Sequence, residues 1–169
     1  MDEFISTVKS QSFPLSVLDT QTSFSNIPYI FFYENADASA EFMNPDLLRT
    51  TFYKTLTVYP ILAGNVCMDD HGQARVVVEK DNLNMPEYLE TSSDNISYSA
   101  IKDAQFRPET WPSGVATVGP IARAGADGKL KLLNVHVVRL KDNSGVILFV
   151  NIPHYVVDGV GFFGFGRRT

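Results

Sequence analysis

The residues best suited to chemistry are His154-Tyr-Val-Val-Asp158-Gly159, close to the end of a chain of 169 residues. Histidine is the side chain whose ordinary titration spans neutral pH, so an imidazole held neutral can accept a proton from a hydroxyl or an amine. An Asp four residues on can anchor the loop that carries such a base, and a Gly beside it permits a tight turn. A structural reading competes: Asp158 caps a following helix and His154 merely lies in a loop.

The elements that would position His154 favour the chemical reading. Asn134 to Leu140 and Val146 to Ile152 are apolar, β-branched runs separated by Lys141-Asp-Asn-Ser-Gly145, the pattern of two strands joined by a turn. His154 therefore falls just past the end of a strand, where a rigid sheet presents side chains to a cleft. His136 differs, because it lies inside a strand among Val135, Val137 and Val138 and reads as a hydrogen-bonded structural residue.

Two further segments accompany this motif, Phe13-Pro-Leu-Ser-Val-Leu-Asp19 near the start and Leu56-Thr-Val-Tyr-Pro-Ile-Leu-Ala-Gly-Asn65 in the middle. Taken in order with His154, Asp158 and Gly159, they resemble the opening P-L-S-x-L-D, the Y-P-x-L-A-G-R and the H-x-x-x-D-G signatures of the BAHD-type acyltransferases, and most of all the fungal trichothecene-acetyltransferase-like branch. The resemblance implies one lobe of a chloramphenicol-acetyltransferase-like fold. It implies that His154 acts as general base in direct acyl transfer from acyl-CoA to a hydroxyl or amine, with no acyl-enzyme, that Asp158 supports the loop and that Gly159 is structural. Acyl-CoA, acetyl-CoA in the fungal branch, enters as co-substrate, with no permanently bound cofactor. The resemblance further implies that residues 1–169 form the N-terminal domain of a two-domain enzyme whose C-terminal half, absent from this chain, is its partner. The family's D-F-G-W-G segment has no counterpart here, and no CoA-contacting residue is identified. Chloramphenicol acetyltransferases and condensation domains carry a second histidine immediately before the first, where this chain has Pro153, and rank lower. The alternative from another class is a noncatalytic acyl-CoA-binding or assembly module with the same fold.

Composition bounds the partners. A net charge of -5 offers no basic surplus for a phosphate backbone, which argues against nucleic acid. Met1-Asp-Glu-Phe-Ile lacks the positive, then apolar, pattern of a signal peptide, and no apolar run approaches the roughly 20 residues of a membrane span, so a cytoplasmic protein without membrane contact is expected. The one cysteine, Cys67, permits no internal disulfide and reads as a small, partly buried apolar residue.

An α/β (α+β) fold with a mixed sheet and packed helices is expected from the remaining pattern. Ile27 to Tyr33 and Ala74 to Glu79 read as strands. Asn44 and Pro45 form a helix cap and first turn, with Leu48, Phe52, Leu56 and Tyr59 on one face and Pro60 ending the helix. Asn82 to Ile101 reads as loop with a short helix near Glu87 to Glu90, and Trp111 between prolines reads as packing. Asp69, Asp70 and His71 supply too few ligands for a metal, and no metal is expected. Asn95-Ile-Ser97 matches a glycosylation pattern by chance. Gly159-Val-Gly161-Phe-Phe-Gly164 fits G-x-G-x-x-G but follows a hairpin arm and has no acidic residue roughly 20 positions on, so a dinucleotide site is rejected.

Overall fold

The β-branched runs of the chain build two sheets, and the turn that carries His154 lies where they meet. The computed structural model describes residues 1–21, 26–115 and 129–156. Within them the elements follow in the order α1 (Asp2–Thr7), β1 (Gln11–Pro14), α2 (Val17–Gln21), β2 (Asn26–Glu34), α3 (Pro45–Val58), β3 (Asn65–Met68), β4 (Ala74–Val78), β5 (Glu87–Ser92), α4 (Tyr98–Asp103), β6 (Asn134–Arg139) and β7 (Gly145–Pro153). The smaller sheet is antiparallel in the order β1-β4-β3, and the larger runs β2-β7-β6-β5 with only β5 and β6 parallel. The architecture is thus mixed α/β, as expected.

β7 is the spine of the larger sheet. It pairs with β2 along nine residues, from Asn26 opposite Pro153 to Glu34 opposite Gly145, and forms the expected antiparallel hairpin with β6. Almost every β7 side chain is buried, since the sheet is covered on both faces. Val146, Val150 and Ile152 pack with Phe4 of α1 and with Phe52 and Leu56 of α3, while Ile147 packs with Tyr98 and Ile101 of α4 on the other side. The apolar stripe read for α3 is therefore the surface that seats the helix on the sheet.

The start of α3 follows its sequence signal. The Asn44 side chain accepts hydrogen bonds from the N–H groups of Asp46 (3.0 Å) and Leu47 (3.2 Å), with Pro45 at the first helical position. The helix ends at Val58, and Pro60 opens a 3-10 turn, Pro60–Ala63.

Three expectations are corrected. Glu87 to Glu90 is the start of strand β5 and not a helix, because it pairs in parallel with β6, Glu87 opposite Asn134 through Ser92 opposite Arg139. Its inward Glu90 faces Arg139 and Arg49, each 3.5 Å away. The tract read mainly as loop also holds α4, capped by Ser97 and seated by buried Tyr98 and Ile101. Cys67 is exposed, since it lies on the edge strand β3. Trp111 packs against Phe32 at 5.4 Å between ring centroids, and its indole N–H donates to the Phe106 carbonyl. Among the described residues no helix is long and apolar enough to cross a membrane.

Candidate active site

His154 is exposed immediately beyond the last residue of β7. Pro153 is held by its pairing with Asn26 on β2, and the Val156 N–H closes a turn onto the Pro153 carbonyl at 3.0 Å. The next side chain, Tyr155, points the other way. It is 7% exposed and packs with Leu15, Ala74, Val76 and Leu132. Burial pushes its phenol up to about 12 from the ordinary 10.0. One residue of the turn is thus a deep apolar anchor and its neighbour is a presented imidazole.

This anchor brings together segments far apart in sequence. Leu15 comes from the Phe13-to-Asp19 segment, Tyr155 from the His154 motif, and Ile61, packed against the same cluster, from the segment ending in Leu-Ala-Gly-Asn65. Each contributes a side chain to the floor beneath the turn. Gly64 explains the glycine of the middle segment, because a Cβ there would run into the Val76 side chain of β4. Its carbonyl accepts from the Asn84 amide at 3.1 Å, and the same amide donates to the Leu130 carbonyl at 2.7 Å. The Asn84 oxygen in turn accepts from the Lys131 ammonium at 3.0 Å. Asn84 is 1% exposed, so this buried network ties the Leu-Ala-Gly turn to the chain that leads into β6. Sequence reading missed it, since an Asn in a polar stretch carries no periodic signal.

At the other end of the same floor, Ser16 and Asp19 hold each other. The Ser16 N–H donates to the Asp19 carboxylate at 2.8 Å and the Asp19 N–H donates to the Ser16 hydroxyl at 3.1 Å, a capping box at the start of α2. These bonds from Ser16 are the main reason the Asp19 carboxyl sits below the usual carboxylate range, and the charge of His154 adds to them.

His136 belongs elsewhere. It stands opposite Phe149, four residues back along β7 from Pro153, or about 13 Å of strand. Its Nε2 is 2.8 Å from the Thr91 hydroxyl, and burial lowers its pKa, which favours the neutral ring. His71 is exposed in a turn whose Asp69 carboxylate is already occupied by the N–H groups of His71 and Gln73 and by Arg75 at 2.7 Å. Asp158, Gly159 and the Gly159-to-Gly164 pattern lie outside the described residues.

Residues 5–167 match the model of the Transferase family. Among solved structures the chain is similar to TRI101 of F. sporotrichioides complexed with coenzyme A and T-2, at 17% identity and a TM-score of 0.72, covering 94% of this chain and 38% of that one. F. graminearum TRI101 complexed with coenzyme A and deoxynivalenol gives 15% identity and a TM-score of 0.70, covering 94% and 37%. The starter condensation domain of the rhizomide synthetase RzmA gives 12% and 0.59, covering 94% and 36%. The chain therefore spans well under half the length of the proteins it resembles. Among curated proteins no sequence matches.

Proposed function

The chain belongs to the Transferase family, and from that premise we propose that it is the histidine-bearing part of a cytoplasmic, BAHD-type acyltransferase that moves an acyl group from acyl-CoA to a hydroxyl or amine. The observation that carries this reading is the presentation of His154. Three separated segments form an apolar floor under a strand-end turn, and that turn buries Tyr155 and exposes the imidazole beside it. The acyltransferase-type fold agrees with it, as do neighbours crystallised with coenzyme A together with T-2 or deoxynivalenol.

In this reading the neutral His154 ring takes the proton of the acceptor hydroxyl or amine as its oxygen or nitrogen attacks the thioester carbonyl of acyl-CoA. The tetrahedral intermediate collapses with cleavage of the carbon–sulfur bond, and the imidazolium returns its proton to the departing CoA thiolate. No acyl-enzyme forms, and the ring ends neutral. By the family resemblance, loop support falls to Asp158 and a structural role to Gly159. Donors for the oxyanion and contacts for CoA come from the rest of a two-domain enzyme, of which this chain supplies the N-terminal domain.

Replacement of His154 by Ala in the full-length enzyme is expected to lower kcat by about 10² or more without altering its thermal unfolding. Undiminished transfer by that variant would refute the assignment. Binding of acyl-CoA by the wild-type full-length protein with no transfer to any alcohol or amine would instead establish the noncatalytic module.

A further inference from the structure

Three residues before His154, β7 carries a buried polar side chain that the proposed mechanism does not use. Asn151 is 0% exposed, and neither its amide nitrogen nor its oxygen has a hydrogen-bond partner among the described residues. Burying a carboxamide in that condition is unfavourable, and nearly all such groups in folded proteins are satisfied by protein or by ordered water. The alternation of the strand fixes which way this one turns. Val150 and Ile152 pack with the α3 cluster, so Asn151 between them lies on the opposite face, the one that α4 covers farther along at Ile147. On that face its neighbours along β7 are Phe149 and Pro153, and its register partner on β2 is Pro28, none of which has a polar side chain. Its register partner on β6 is Asn134, which shares the face because Val135 packs on the α3 side.

Two carboxamides thus stand directly opposite each other, with Cβ atoms roughly 5 Å apart by the geometry of such pairs, and they do not bond each other. We propose that Asn151 and Asn134 form a binding site for one internal water, which joins the end of β7 to β6 just before the turn that presents His154. A water both donates and accepts hydrogen bonds, and the pair offers amide donors and carbonyl acceptors to match. His136, a diagonal step from Asn151 on the same face, does not compete, since its ring is engaged by Thr91. Asn134 is half-buried and stands beside the exposed Glu87 of β5, so the row runs from solvent into the sheet and gives the water its way in. The site does not depend on His154 acting as a base.

A crystal structure of the full-length protein, at a resolution that shows ordered water, is expected to place one water within hydrogen-bond distance of both side chains. Asn151→Leu keeps the approximate shape of the side chain while removing its contacts to the water, and should lower the unfolding temperature by about 2 °C. Asn134→Leu removes the same water from the other side and should lower it as well. The double variant should then lose little more than the worse single one, because both substitutions break one shared contact. A direct bond between the two carboxamides with no water, or a polar group from the rest of the protein seated on Asn151, would overturn the proposal. Additive losses in the double variant would do the same. So would a rise in the unfolding temperature of Asn151→Leu, the mark of an amide that stays unsatisfied in the folded protein.

Discussion

Tyr155 shows how a single buried residue can anchor the turn that presents His154, the proposed base. Its ring is buried in the floor of the turn, and its hydroxyl has no hydrogen-bond partner among the described residues. Burial raises the phenol from 10.0 to about 12, so the folded state favours the neutral form. The sign follows from linkage. The associated stabilisation is complete below the unfolded value and is lost as pH rises toward the folded one, a change on the order of 2 kcal/mol. Chemical denaturation from neutral pH to about pH 11 should show this alkaline loss in the wild type, and Tyr155→Phe should remove much of it while leaving neutral stability unchanged or slightly higher. Equal alkaline slopes in the two proteins would contradict the buried-phenol account. The sequence made His154 legible through its place after a strand, but not Tyr155, because alternation beyond a strand end depends on which surface waits there. Cys67 failed for a related reason: its apolar character is plain in the sequence, whereas its position on an edge strand is a property of the sheet.

Elements were legible where local signals and tertiary demand coincide. Asn44 and Pro45 mark the start of α3 by chemistry contained within four residues, and the β6–β7 hairpin announces itself through two valine-rich runs around a polar turn. β5 was not legible, because its segment reads locally as helix-compatible and becomes a strand only through pairing with β6, which lies far along the chain. The 3-10 turn Pro60–Ala63 with Gly64 shows the opposite case, a motif recognised by resemblance whose physical reason appears only in three dimensions. Gly64 lies against β4 with no room for a Cβ beside Val76, and its carbonyl is held by Asn84. Gly64→Ala must displace β4 or the turn, and a stability loss of about 1–3 kcal/mol is expected by urea titration. An unchanged midpoint would mean that the turn relaxes freely, and would assign that glycine no packing role.

At the scale of the whole molecule, two of the three apolar clusters among the described residues support different parts of the fold. Leu132 belongs to the floor shared by Leu15, Val76 and Tyr155, whereas Ile101 belongs to the cluster that seats α4 on the opposite part of the larger sheet. Both residues are fully buried, so truncation to Ala should cost each variant about 2–5 kcal/mol. Their effects on transfer should nevertheless differ. A cavity at Leu132 loosens the surface on which Leu15 and the His154 turn are jointly docked, and under the proposed function a small misplacement of the His154 base is costly to rate. A cavity at Ile101 leaves that surface untouched. Below both unfolding transitions, the full-length Leu132→Ala enzyme should lose kcat more than the Ile101→Ala enzyme, with equal folded fractions verified by circular dichroism. Equal losses would show that the floor transmits stability without holding the site in register. The mixed α/β class was readable from the order of apolar runs, but the convergence of three distant segments on one cluster was not, since it arises only when the β1-β4-β3 sheet and the end of β7 share a common packing surface.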